Sequence, residues 1–309
     1  MAPSCLIPSR LRILIVPYLW MVLSAVAFAL MSACGHAVRE DFSWQTIALA
    51  RAGLVLLFAL VLTWISGTKL VFFRPKSLWL RSLAGSTSLL FSFYAITRIP
   101  VTDFLTITHM YPIWVALMSW PLLGERPGTD VWISIFTGLI GVQLISQAHF
   151  EEGNLASLAA LASSFTSALS VIGMHRVKQV DARAIVVHFS AVALVFVAIA
   201  MLVAPDSPAP RAPDTAAWFK LVGVGLAATI GQVFMTKAFA AGSPSRVAIA
   251  GLTQVGFGMI CDVIFFGKTF DGLRLLGIAM VMTPTIWLVI TRNRNQKAKV
   301  QEEIHAAST

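Results

Sequence analysis

Arg51, His109, Gln232 and Lys237 each fall inside a long apolar run of this sequence. An ionisable side chain held in hydrocarbon costs at least about 2.5–3.5 kcal/mol, so it persists where it binds something, carries charge or reaches water. Arg51 lies about seven residues into its run. It is placed to bind an anion or gate a cavity, or else to snorkel to the outer headgroups. His109 shares a helical face with Thr102, Thr106 and Ile113. Its imidazole exchanges a proton near neutral pH, so it reads as a substrate ligand or proton carrier, or as a core histidine bonded to a neighbouring helix. Lys237 follows Gln232 by five residues and either attracts an anionic solute or extends to the interface. Ser88 and Tyr94 are polar positions in the third run, 79–98. Asp103 and Asp262 fall near run ends and read as structural, since a carboxylate suits a helix N-terminus.

Catalytic constellations are missing from the sequence. It has no Ser/His/Asp order, phosphate loop or HExxH. Cys5, Cys34 and Cys261 show no ligand spacing, so neither a metal site, a cofactor nor a disulfide framework is expected. A membrane enzyme or lipid-handling protein is the alternative to a carrier.

The elements that position these residues follow from composition. The 309 residues are 57% hydrophobic and 12% charged, against about 25% charged in soluble domains. The expected class is an all-α integral membrane protein. Ten apolar spans separate at 14–37, 44–66, 79–98, 101–123, 130–147, 154–175, 184–204, 217–239, 246–266 and 271–291. Arg10 and Arg12 before the first run, and Met31-Ser32-Ala33-Cys34 within it, resemble a secretory signal. The run is too long for a signal h-region of about 7–15 residues, so it reads as a retained first helix. Tyr111-Pro112 predicts a kink, because Pro112 removes one backbone hydrogen bond. The proline-rich link 205–214 cannot continue a helix, and a basic tail starts at Arg292.

The net charge of +9 suits lipid better than nucleic acid. The basic residues sit in short gaps, as at Lys69, Arg74, Lys76 and Arg81, with no basic stripe interleaved with aromatics. With the N-terminus cytoplasmic, 16 Lys and Arg fall on that side and 6 on the other. The positive-inside bias thus places both termini in the cytoplasm.

The chain also repeats itself. A slide of 143 positions brings Leu83-Ala84 onto Leu226-Ala227, Phe91 onto Phe234, Ala95 onto Ala238 and Gly124 onto Gly267. A slide of 139 brings His36 onto His175 and Val38 onto Val177. Five spans per half force the halves into opposite orientations, giving two inverted five-helix repeats. The expected divisions are 1–148, 149–291 and the tail 292–309. Thr253 and Gln254 then match Met110 and Tyr111 and should face the same midplane cavity.

The segment Phe93-Tyr94-Ala95-Ile96-Thr97-Arg98-Ile99-Pro100, then Tyr111-Pro112, Leu123-Gly124-Glu125-Arg126, Gly138 and Gly141, resembles the EamA-type carriers of the drug/metabolite transporter superfamily. Gly231-Gln232-Val233-Phe234-Met235-Thr236-Lys237-Ala238 is similar to the family's eighth helix. With Arg81-Ser82 and Gly85-Ser86-Thr87, it resembles the branch holding orphan animal carriers related to nucleotide-sugar transporters. Gly267-Lys268 departs from the pattern, because the second-half acidic residue is absent. Glu125 itself is expected to be a turn residue paired with an arginine.

The resemblance implies a secondary transporter working by alternating access on a small polar metabolite. Arg51, His109 and Lys237 outnumber acidic groups with a cavity position, so the metabolite is expected to be anionic or zwitterionic. The candidate binding residues are Arg51, Ser88, Tyr94, His109, Tyr111, Gln232, Lys237, Thr253 and Gln254. The expected partners are that metabolite and the lipid bilayer of a bacterial inner membrane, with no nucleic acid; a homodimer is the one protein partner considered.

Overall fold

The computed structural model describes residues 9–96, 101–146, 155–203, 212–267, 269 and 271–287. Cys5, Arg98, Lys268, most of the 205–214 link and the basic tail from Arg292 lie outside the described residues.

Among the described residues, twelve helices account for the ten expected spans: α1 (Ser9–Ala37), α2 (Trp44–Ile65), α3 (Lys76–Ile96), α4 (Val101–Thr108), α5 (Tyr111–Leu123), α6 (Thr129–Ser146), α7 (Leu155–Arg176), α8 (Ala182–Val203), α9 (Thr215–Ala241), α10 (Pro244–Gly251), α11 (Thr253–Phe266) and α12 (Gly272–Trp287). The described residues contain no strand. Backbone groups in hydrocarbon find no water, so each span must satisfy its own hydrogen bonds as a helix. The ends are capped by polar side chains: Ser43 accepts from the Thr46 amide at 3.2 Å, and Asp214 accepts from the Ala217 amide at 2.7 Å.

α1, α2, α7, α8, α9 and the pair α10–α11 are long and apolar enough to cross a bilayer. α3 is more polar because it buries Arg81, Ser82, Ser86 and Ser88 inside the bundle. Leu57, Trp64, Phe136, Leu202, Phe219 and Ile264 are exposed on the outside. A large apolar outer surface is what lipid requires and water would penalise. The protein is therefore an all-α integral membrane protein.

Two spans are broken at corresponding places. The fourth stops at Thr108 and restarts at Tyr111; the ninth stops at Gly251 and restarts at Thr253. The expected kink is thus displaced. The chain breaks at His109-Met110, and Pro112 sits in the first turn of α5, where its missing N–H costs no helical bond. Both broken spans end on a left-handed glycine, Gly124 at φ 74° and Gly267 at φ 63°, a conformation that disfavours any Cβ.

The halves interlock through swapped partners. α3 of the first half packs along α7, the first helix of the second; α9, the counterpart of α3, packs along α1. α2 and α8 face each other, and α5 meets α10. This arrangement is what a pseudo-two-fold axis between the halves produces. α6 and α12 touch backbone to backbone: a Cβ on Gly141 would lie 2.7 Å from the Gly277 carbonyl, and one on Gly277 2.8 Å from the Gly141 carbonyl.

Candidate functional site

A cavity of about 420 Å³ lies between the halves. α1, α2 and α3 of the first half line it, with Phe104 and Thr108 of α4 and the break residue His109. α7, α8, α9 and α11 of the second half complete it. The breaks matter here, because a helix interrupted at mid-membrane turns polar groups and backbone toward a cavity instead of lipid.

Six of the expected binding residues line this cavity: Arg51, Ser88, His109, Tyr111, Gln232 and Gln254. Three lie elsewhere. The Lys237 ammonium rests 5.7 Å from the Trp20 ring centre and 5.9 Å from that of Phe234. Half-buried Tyr94 packs against the cluster of Ala95, Phe104 and Ala156. Thr253 is buried, and its hydroxyl donates to the Ala250 carbonyl at 2.7 Å beside the second break.

Ser88 is already engaged. Its hydroxyl lies 3.0 Å from Ser163 Oγ and 2.6 Å from Ser167 Oγ, and Ser92 reaches Ser163 at 2.7 Å. Such hydroxyl ladders let α3 and α7 approach closely, as small residues do between membrane helices. The Tyr111 hydroxyl donates to the Ala248 carbonyl at 3.0 Å and so links the two broken spans. Among the described residues Arg51 makes no hydrogen bond or ion pair.

One lining residue corrects the sequence reading. Arg81, taken there as a loop cation, is only 2% exposed within α3. The expected span 79–98 leaves Arg81 in its first turn, at the membrane edge; the helix in fact begins at Lys76, one turn earlier. Arg81 Nη1 donates to Ser170 Oγ at 2.6 Å, and Nη2 donates to Gln232 Oε1 at 3.1 Å. Its guanidinium carbon stands 4.0 Å from the Phe189 ring centre. A 2.7 Å hydrogen bond joins the next residue, Ser82, to His188 Nδ1. The signal available in sequence was the run of small residues after Arg81 (Ser82, Gly85, Ser86), which marks a tightly packed face and not a loop.

Glu125 is likewise corrected. It accepts from Ser243 Oγ at 2.9 Å and lies 3.9 Å from His175 Nε2, so its partners among the described residues are not arginines. At the same end Arg246 pairs with Asp130 at 3.0 Å, and Arg176 donates to the Leu122 carbonyl. Every one of these contacts joins one half to the other.

Among the described side chains no carboxylate lines the cavity, and no three His, Cys, Asp or Glu side chains cluster as a metal site would need. Two interlocked five-span halves, with broken fourth and ninth spans around a central cavity, define a membrane carrier. Residues 15–147 and 154–290 each match the EamA-like transporter family, and the chain belongs to that family. It is a transporter and not an enzyme.

The chain is 26% identical over 277 residues to the pseudopaline exporter CntI of Pseudomonas aeruginosa, covering 88% of this chain and 95% of that one. It is 23% identical over 299 residues to a riboflavin transporter of Vibrio cholerae, covering 93% and 96%. It is 25% identical over 240 residues to human solute carrier family 35 member G1, covering 72% and 65%. A solved crystal structure superposes with a TM-score of 0.77 at 15% identity, over 91% of this chain and 98% of that one. That likeness speaks to fold alone.

Proposed function

We propose that the protein is a secondary transporter that moves a small anionic or zwitterionic metabolite across a bacterial plasma membrane by alternating access. One observation carries the reading of charge. Among the described side chains, the cavity holds two guanidiniums, Arg51 and Arg81, together with His109, and no carboxylate. Charge unbalanced in a low-dielectric space attracts counter-charge far more strongly than it would in water. The volume of about 420 Å³ suits a cargo of metabolite size. Pseudopaline and riboflavin, the cargoes named for two relatives, are consistent with small-molecule transport.

Alternating access is supported by the division of contacts. The links at Glu125, Asp130 and Arg176 all cross between halves at one end of the bundle. They can release without disturbing either half. The test of charge is competition for uptake or efflux in membrane vesicles by matched organic anions and cations. Anions should compete at least about tenfold better; competition by cations alone would reject the reading.

Both termini are assigned to the cytoplasm. Moving Arg81 into the membrane lowers the cytoplasmic tally from 16 to 15 against 6, so the bias persists. Reporter fusions at Thr309 and within the 205–214 link should report opposite sides of the membrane. The same side for both would sink the assignment.

A further inference from the structure

Arg81 is a buried cation whose visible partners are all neutral. Its two hydrogen-bond acceptors are the Ser170 hydroxyl and the Gln232 amide oxygen, and the Phe189 ring covers one face. Its Nε has no hydrogen-bond partner among the described residues. Four carboxylates among the described residues, Glu125, Asp130, Asp181 and Asp271, pair with other groups. A buried charge without a counter-ion is costly, and polar neighbours recover only part of the lost hydration.

The fold is nevertheless shaped to keep it there. A Cβ on Gly173 would lie 2.7 Å from the Arg81 amide nitrogen and 2.9 Å from its Cα. A Cβ on Gly85 would run into Nη1, and would stand 2.8 Å from the Phe189 ring and 2.9 Å from Ser170 Oγ. Gly173 thus lets α7 close on the backbone of α3, and Gly85 leaves the hollow that the guanidinium fills. Ser170 Oγ also donates to the Arg81 carbonyl at 3.0 Å, so the same hydroxyl ties side chain and backbone. A loop cation needs none of this.

We propose that Arg81 is the anchor for the transported molecule's anionic group, a carboxylate or another compact oxyanion, which supplies the counter-ion missing among the described residues. The inference rests on the anionic-substrate reading above and names the residue that would carry it. Arg81 lines the cavity. Its Nε is buried, but the guanidinium has five N–H donors and the described residues engage one on each Nη, so an incoming oxyanion would meet the Nη hydrogens left over. Arg81 is better suited than Arg51 because its guanidinium is already oriented by two hydrogen bonds and a ring face. Little conformational freedom remains to be lost on binding. The anchor also joins the halves: Arg81 belongs to α3, whereas Ser170, Phe189 and Gln232 belong to α7, α8 and α9.

The test uses the full chain in lipid nanodiscs. Sodium succinate and sodium phosphate are titrated against sodium chloride at matched ionic strength, with tetraethylammonium chloride as the cation arm. Binding is read by thermal shift and tryptophan fluorescence. At least one of the two anions should stabilise the wild type. Arg81→Gln should weaken that anion at least about thirtyfold, in line with removing one partner of a desolvated charge pair. Arg81→Lys should weaken it about tenfold, since an ammonium keeps the charge but loses the planar fork. Anion binding by Arg81→Gln within threefold of wild type overturns the anchor. So does wild-type affinity in Arg81→Lys, which decides the matter if Arg81→Gln does not fold. A wild type that responds to tetraethylammonium alone, or to no probe, overturns the anionic-substrate reading itself and the anchor with it.

Discussion

Gly173→Val is expected to yield no monodisperse protein after detergent extraction, and Gly173→Ala to lower the melting temperature measurably. The reason is local. The added Cβ would stand 2.7 Å and 2.9 Å from main-chain atoms of Arg81. Backbone cannot rotate aside as a side-chain tip can, so two of the most closely packed helices, α3 and α7, would be forced apart. Overpacking commonly costs about 1–3 kcal/mol for added methylenes, and a branched side chain against backbone should exceed that. Gly258→Ala is the control, because a Cβ there meets nothing within 4 Å. Size-exclusion profiles and thermal unfolding of the three variants decide the point. A Gly173→Val protein that elutes and melts like wild type would show that the α3–α7 seam is far looser than described.

Arg51→Ala should act on transport and spare the fold. Arg51 lines the cavity but makes no hydrogen bond or ion pair among the described residues, so its removal leaves no partner stranded. Truncating a charge that meets an opposite charge in a desolvated site costs about 2–5 kcal/mol. Arg51 is unanchored and must lose rotamer freedom on binding, which favours the lower end of that range. Flux should therefore fall at least about tenfold at matched expression, while yield stays within about twofold. Near-normal flux in the Ala variant would return Arg51 to the class of cations that merely reach for the headgroups.

The sequence carried the span count, the repeat and six of the polar residues that line the cavity, because these rest on periodicity and on the cost of polar groups in lipid. Arg51, His109 and Gln232 were conspicuous for that reason. Arg81 was not, since one further turn of α3 separates a membrane-edge arginine from a buried one, and apolar counting does not resolve a single turn. Lys237 was misplaced in the opposite sense. Its five-residue spacing from Gln232 rotates it away from that side chain, toward Trp20. The break at His109-Met110 also escaped notice. Proline announces a discontinuity in its neighbourhood, but a proline in a first helical turn marks a restart and not the gap itself.

The cross-half contacts at Glu125 have an energetic consequence. By the 143-residue correspondence the matching position in the second half is Lys268, so no equivalent acid exists to fasten the opposite end. In a carrier that alternates, the two occluding forms then differ in free energy despite their common architecture. A difference of about 1.4 kcal/mol suffices for a tenfold ratio of populations. The empty carrier should spend most of its time fastened at the Glu125 end. A ligand arriving from the other face would find nearly every molecule competent, whereas one arriving at the Glu125 face would bind with an apparent affinity reduced by the small competent fraction. One binding site would thus present two different half-saturation constants, set by which side of the membrane is asked.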